Sequence, residues 1–159
     1  MIIVSDTSPI RALGFLGLLP VLSELFEHVL VPPAVQAELL RSDARYSAID
    51  LSNFGFVEIR APQDTKRVEA FLQTLDLGES EALALAIEHD VRLILMDELR
   101  GRSIAAQVGI QPLGALGVLL RAKSRGLIDA VRPQIDRLDE LEFYMTAQLK
   151  ENVLRLAGE

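Results

Sequence analysis

The chain has 159 residues, a formal net charge of −7 and no cysteine or tryptophan, and half of its residues are hydrophobic. This composition excludes a disordered chain, a disulfide scaffold, a thiol nucleophile and a cysteine-based zinc site. The negative charge also argues against binding to nucleic acid through charge alone, because such affinity comes from Lys and Arg residues that displace counterions.

The longest apolar stretch near the start of the chain, residues 13–22, contains two glycines and a proline. It is too short to span a bilayer, and no signal-peptide charge pattern precedes it. We therefore expect a cytoplasmic protein without a membrane segment.

Short apolar runs alternate with helical periodicities through the first half of the chain. Strands are predicted at residues 2–4, 29–31 and 56–59, and helices at about 9–16, from about 20, 33–40 and 65–75. Proline suits the first turn of a helix, and Pro9 and Pro33 stand near two of the predicted helix starts.

The second half continues the same alternation. A helix from Glu79 to Glu88 precedes a strand at 93–96, and the pair Asp97 and Glu98 follows that strand. A helix ending near 108, a strand at 110–113 and helices at about 114–125, 130–138 and 146–156 complete the pattern. Strands that alternate with helices predict one α/β domain over residues 1–159, a three-layer α/β/α arrangement with a parallel sheet and C-terminal helices from about 129 onward.

Four acidic residues stand where such a sheet would bring them together. Asp6 follows the first strand, Glu38 lies on the helix after the second, Glu79 begins a later helix and Asp97 follows the next strand. Ligand sites in parallel sheets form outside the carboxyl ends of strands near a topological switch point. Oxygen donors without His or Cys suit one or two Mg²⁺ or Mn²⁺ ions, which promote phosphodiester hydrolysis.

The same stretches resemble the motifs of PIN-domain proteins, specifically the VapC-type toxins of prokaryotic toxin–antitoxin pairs. IIVSDTSPI resembles the first motif, VPPAVQAELL the second with Glu38 at the acidic position, and GESEALALAIEHDVRLILMDELRGR the third and fourth with Glu79 and Asp97. LLRAKSRGLI resembles a later helix of the same subgroup. The resemblance implies a short-stranded, Rossmann-like PIN fold with Asp6, Glu38, Glu79 and Asp97 as catalytic residues and metal ligands.

It further implies an endoribonuclease that hydrolyses RNA with a metal-activated water, is held inactive by a cognate antitoxin protein and is often a homodimer. The chain departs from the family pattern at two positions. Glu79 stands where typical members have Asp, with Glu81 as a rival ligand, and Arg100 replaces a frequent further acid, which leaves Glu98 as the substitute. These departures favour, as an alternative, a catalytically weak module that acts through a protein partner.

Each acid also has a simpler interpretation. Asp6 can cap the helix that follows it, and Glu79 and Glu81 can interact with a helix dipole. Five further side chains have two possible roles. They are expected either to support the metal ligands or contact phosphate, or to cap a helix, pair with another charge or lie on the solvated surface. These residues are Thr7, Ser8, Glu81, Glu98 and Arg102. Phe143 and Tyr144 are expected to pack and not to stack on bases.

Overall fold

The computed structural model describes residues 1–143 and 145–159. Tyr144, for which packing is predicted, lies outside the described residues. The strands are β1 (Ile2–Ser5), β2 (His28–Val31), β3 (Val57–Ile59), β4 (Leu93–Leu95) and β5 (Gln111–Leu113). The α-helices are α1 (Thr7–Phe15), α2 (Val21–Leu25), α3 (Pro33–Leu39), α4 (Thr65–Phe71), α5 (Leu77–Glu88), α6 (Leu99–Gln107), α7 (Ala115–Ser124), α8 (Arg132–Glu140) and α9 (Ala147–Leu156).

The strands form a parallel sheet in the order β3-β2-β1-β4-β5. The chain builds outward from β1 to β3 and then returns to place β4 on the other side of β1. Val4 pairs with Ile94 and Ser5 with Leu95, so the residues after β1 and β4 emerge at the same sheet edge. The strand order reverses between these two strands, which leaves a crevice at their carboxyl ends.

Alternate residues of each strand face opposite sides of the sheet, as the pleat requires. Ile3 and Leu95 belong to one buried cluster, which also holds residues of α1 and α7, whereas Val4 and Ile94 belong to a second cluster with residues of α5. The predicted three-layer α/β/α fold with short parallel strands is therefore confirmed. Among the helices of the described residues, none is both long enough and apolar enough to cross a membrane.

Several predicted helix boundaries differ from the structure by about two residues or more, and those of α4 and α5 bear on the acidic site. Helix α5 begins at Leu77, two residues before the predicted start, because the Asp76 side chain accepts a hydrogen bond from the Glu79 backbone N–H at 2.8 Å. Helix α4 ends at Phe71 and not near residue 75. Only residues 72–76 connect the two helices, so the chain must turn there to begin α5.

The Glu159 side chain connects the segment after α9 to α7 and to the start of α8. Its carboxylate accepts hydrogen bonds from the backbone N–H groups of Val131 at 2.7 Å and Arg132 at 3.1 Å, and from Lys123 Nζ at 3.0 Å. These donors, the Val131 N–H first, lower the pKa of Glu159 to about 2. The residues after α9 are thereby fixed against α7 and the start of α8.

Candidate metal centre

Asp6 occupies the N-cap position of α1, directly after the central strand β1. No capping hydrogen bond from its side chain is found within the described residues. The third residue of the helix is Pro9, which has no backbone N–H to offer, so one of the usual partners of an N-cap side chain is absent. The side chain is only 6% exposed, and it is held at the switch point by the bond from its own backbone N–H to Leu95 O, 2.9 Å.

Asp97 follows β4 and is tied to the start of α7. Its Oδ1 accepts a hydrogen bond from the Ala115 backbone N–H at 2.9 Å. Its Oδ2 is buried and has no hydrogen-bond partner among the residues that the structure describes. Burial raises the pKa of Asp97 to about 6, although the Ala115 N–H and the Arg102 charge oppose the rise. One oxygen of this carboxylate is therefore buried without a hydrogen bond to compensate for its loss of hydration.

Glu79 lies in the first turn of α5 and is only 7% exposed. Its Oε2 is likewise buried and unpartnered within the described part of the chain. Burial raises the pKa of Glu79 above its usual range, the adjacent Asp76 carboxyl raises it further, and the charges of Asp6 and Glu98 add to the effect. Glu79 thus belongs to the same group of interacting acids as Asp6.

A glycine allows the half-buried Glu38 to approach this group from α3. A Cβ atom at Gly78 would lie 2.7 Å from Glu38 Oε1 and 3.5 Å from Asp6 Oδ1. The first distance is shorter than real Cβ contacts, so any larger residue at position 78 would displace the Glu38 carboxylate. Gly78 therefore lets both carboxylates close against the start of α5.

Burial raises the pKa of Asp6 to about 7. The Thr7 backbone N–H lowers it in part, and the negative charges of Asp76, Glu38 and Asp97 raise it further. A carboxyl with this pKa is partly protonated at neutral pH, because ionisation would add another charge to a buried acidic group. The charges of Glu38 and Asp97, two of the predicted acids, therefore both act on Asp6.

These acids converge on one sheet edge, but they do not form a finished metal-binding shell. In residues 1–143 and 145–159, no three acidic or histidine side chains are arranged so that together they could hold a metal ion. Like charges repel, so carboxylates without a cation between them settle apart. The buried, unpartnered oxygens of Glu79 and Asp97 and the purely oxygen donor set nevertheless fit a hard divalent ion. The donor atoms are of the right type for such an ion, and the side chains must move closer together before they can bind it.

The other predicted residues have different surroundings. Glu81 Oε1 accepts a hydrogen bond from the Ala34 backbone N–H at 3.1 Å, so Glu81 joins α5 to the start of α3. Thr7 is buried beside Asp6, and its Oγ1 has no partner among the described residues. Ser8 is exposed. Arg102 Nη1 donates a hydrogen bond to Met96 O at 2.9 Å, which holds its charge near Asp97.

Sequence reasoning missed Asp76 as a member of the acidic group. Its carboxylate caps α5 through the Glu79 N–H, and its charge acts on both Asp6 and Glu79. The signal was available, since an acid three residues before Glu79 is typical of a helix N-terminus. Asp76 positions Glu79 and contributes to the negative potential of the site.

An open cleft of about 380 Å³ borders Asp76 and Glu79. It is lined by Thr74, Leu75, Asp76, Glu79, Glu98, Leu99 and Arg100. Arg100 Nη1 lies 3.3 Å from Thr74 O, to which it donates a hydrogen bond at the rim. Glu98 is exposed on the same cleft, where it faces solvent and raises the pKa of Glu79.

Glu79 and Glu81 give a matched pair of variants. Glu79→Gln should weaken Mn²⁺ binding at pH 8 by about tenfold or more, because it removes a buried negative charge from the acidic group. Glu81→Gln should leave Mn²⁺ affinity within about twofold, because glutamine Oε1 can still accept the Ala34 N–H. Isothermal titration calorimetry measures both; equal losses in the two variants would remove the distinction between the two residues.

Gly114 tests the position of Asp97. A Cβ atom at residue 114 would lie 2.6 Å from Asp97 Oδ1 and 3.2 Å from Arg102 Nη1. Gly114→Ala should therefore displace the Asp97 carboxylate and lower metal-dependent phosphodiester cleavage by about tenfold or more. The control is Gly55→Ala, where a Cβ meets no described atom within 4 Å. Cleavage rates and melting temperatures of both variants check this, and unchanged cleavage by Gly114→Ala would contradict the assignment of Asp97.

Comparison with known proteins agrees with this geometry. The family model DUF3368, described as a PIN domain, matches residues 2–159. A comparison with curated proteins gives no significant match. Because the family model covers nearly the whole chain, this protein belongs to the PIN-domain family.

Proposed function

We propose that this protein is a metal-dependent endoribonuclease and the toxin of a toxin–antitoxin pair. The observation that carries the proposal is the convergence of the buried Asp6 and Glu79 with the half-buried Asp97 at the switch point of the sheet, where Glu79 and Asp97 each have a buried oxygen without a partner in the described residues. PIN domains are generally nucleases and typically use divalent metals. The donor set matches such chemistry.

The residues that would hold one or two Mg²⁺ or Mn²⁺ ions are Asp6, Glu38, Glu79 and Asp97. When bound, the metal supplies charge neutralisation at the phosphodiester and activates water. Asp6 and Glu79 are buried, and Glu79 Oε2 and Asp97 Oδ2 are buried without a hydrogen-bond partner in the described residues, so these oxygens are poorly solvated and available to a cation. The raised pKa values of Asp6 and Asp97 mean that these acids must release protons before they act as ligands, which makes cleavage favour neutral to alkaline pH.

Other side chains orient the ligands. The Ala115 N–H holds one oxygen of Asp97 and leaves the other available. Asp76 fixes the first turn of α5 and hence Glu79, and Arg102 offsets part of the negative charge near Asp97. Glu79 lines one cleft and Asp97 lines a second cavity, and Leu99 lines both of them.

An antitoxin and a second copy of the chain are the proposed protein partners. Leu156 near the end of α9 is 74% exposed and lines a cavity of about 470 Å³ together with Leu25, Leu120 and two arginines. An apolar surface bordered by arginines is typical of a protein-binding site. A partner with apolar and acidic side chains would complement it.

A catalytically weak binding module is the second candidate. It is favoured by the separation of the carboxylates and by Arg100, which stands where relatives frequently have a further acid. Purified protein, free of antitoxin, distinguishes the two candidates on a panel of structured RNAs with Mn²⁺, Mg²⁺ or EDTA. The nuclease proposal requires internal cleavage that depends on metal. Absent or metal-independent cleavage by folded protein would favour the binding module.

A further inference from the structure

A second cavity, of about 360 Å³, adjoins the candidate metal centre on the side of α7 and α9. Asp97 and Arg102 line one end of it, so it opens directly beside the acidic group. Leu99, the first residue of α6, lines both this cavity and the acidic cleft. A strand that crosses the acids therefore passes the mouth of the cavity.

Apart from that polar end, the walls of the cavity are apolar. They include Leu116 of α7, Leu149 and Val153 of α9, and Phe143 from the segment between α8 and α9. Phe143 packs against the core, as predicted, but it also lines this space, and the expectation that it does not stack on bases stays a prediction. An apolar chamber with the Arg102 guanidinium at one end suits a flat ligand that has apolar faces and hydrogen-bonding edges. A nucleobase has this character.

The overall charge of the protein makes burial of a base important. A chain of net charge −7 gains little affinity from the release of counterions, and the acids themselves repel phosphate. Single-stranded nucleic acid is otherwise bound by burial and stacking of its bases. Contacts to the bases would therefore add affinity for RNA to what local arginines and a bound metal supply, and the cavity beside Asp97 offers such contacts.

Leu99 supports the same conclusion. Its side chain is 78% exposed at the boundary between the acidic cleft and the apolar cavity. Such exposure of a leucine adds nothing to the core, but it provides an apolar edge to a base that enters the cavity. We infer that this cavity, bounded by Leu99, Phe143 and Leu149, receives an unpaired nucleobase next to the scissile phosphate. The inference rests on the proposed function, because it takes RNA as the polymer at the acids.

The test measures binding and does not require cleavage. The protein carries Asp6→Asn, and fluorescein-labelled pentaribonucleotides contain one abasic residue at each position in turn. Loss of one particular base should weaken binding about tenfold, as expected for a buried, stacked base. Leu149→Trp, at a residue that is 43% exposed, should fill the cavity and remove that difference. The matched control is Leu72→Trp, since Leu72 is 42% exposed and does not line the cavity.

Leu99→Ala is a second variant, and it should fold normally because so exposed a side chain contributes little to the core. It should reduce the same base-dependent difference by about threefold or more. The inference is overturned if no abasic position weakens binding, or if the difference survives Leu149→Trp. It is also overturned if Leu149→Trp changes only the oligomeric state in light scattering, because the cavity would then be an interface between copies.

Wild-type cleavage, measured separately with Mn²⁺, keeps the two proposals distinct. Base-dependent binding that Leu149→Trp removes, together with no cleavage by the wild type, would support the base site and reject the nuclease. Metal-dependent cleavage with no base-dependent binding would support the nuclease and reject the base site.

Discussion

Asp6→Asn should reduce metal-dependent RNA cleavage by roughly 10²–10³-fold or more, while the fold is retained. Asparagine has nearly the same shape as aspartate but cannot supply the negative charge that a divalent ion requires. The helix start should survive, because no capping hydrogen bond of Asp6 is found in the described residues. Initial rates of cleavage with Mn²⁺ measure the effect, and circular dichroism verifies that the variant is folded.

Asp90→Asn is the matched control for this variant. Asp90 is exposed after α5, before the start of β4 and thus away from the acidic edge, and its φ of 51° is a conformation that asparagine also tolerates. Cleavage by Asp90→Asn should stay within about twofold of the wild type. Cleavage retained by Asp6→Asn would exclude Asp6 as a ligand, and it would identify any observed activity as the product of another site or of a contaminant.

The metal-free protein should lose stability as the pH rises from about 4 to about 8, because the pKa values of Asp6, Asp97 and Glu79 are all raised in the folded state, that of Glu79 to about 8. The pKa of Asp6 rises on folding from 3.8 to about 7 and that of Asp97 from 3.8 to about 6, chiefly through burial. The folded state therefore binds more protons than the unfolded state in this interval, and the free energy of unfolding falls with increasing pH. Mn²⁺ should reverse the loss at pH 8 and have little effect near pH 5, where protons compete for the carboxylates.

The same reasoning predicts that Asp6→Asn stabilises the metal-free protein. A carboxyl whose pKa is raised this far costs the folded state on the order of 4 kcal/mol at pH 8. Its removal should raise the melting temperature at pH 8 by roughly 8–16 °C and change it little near pH 4. Calorimetric scans in EDTA measure this, with Asp90→Asn as control. An Asp6→Asn protein that melts below the wild type at pH 8 would contradict the assignment of a buried, repelled carboxylate.

The fold could be predicted largely because its signals are local. Most strands arise from short apolar runs, and the run after His89-Asp90 gives β4, which ends at Leu95, two residues before Asp97. In a parallel sheet, strand ends meet at one edge, so the order of strands and acids along the chain is enough to predict that Asp6 and Asp97 approach each other. The start of α5 was harder to predict from the sequence, because it depends on the hydrogen bond from the Glu79 backbone N–H to the Asp76 side chain.

The finer features of the site depend on contacts between distant residues. Glu79 and Glu81 are equivalent candidates in the sequence, yet Glu81 is engaged by Ala34, which lies 47 residues earlier. The need for glycine at position 114 arises from Asp97 and Arg102, which belong to other elements. The cavity beside Asp97 likewise requires the packing of α9 against α7. Hydrophobic periodicity contains none of this information, since it reports which face is buried and not what that face meets.

The most direct test of the proposed metal centre is anomalous diffraction from crystals grown with Mn²⁺ at pH 8, where Asp6 and Asp97 are expected to be mostly ionised. The proposal predicts an anomalous peak bonded to oxygens of both Asp6 and Asp97, with Glu38 or Glu79 closing toward it. A peak that avoids Asp6 and Asp97, or no peak at an Mn²⁺ concentration that supports cleavage, would contradict it.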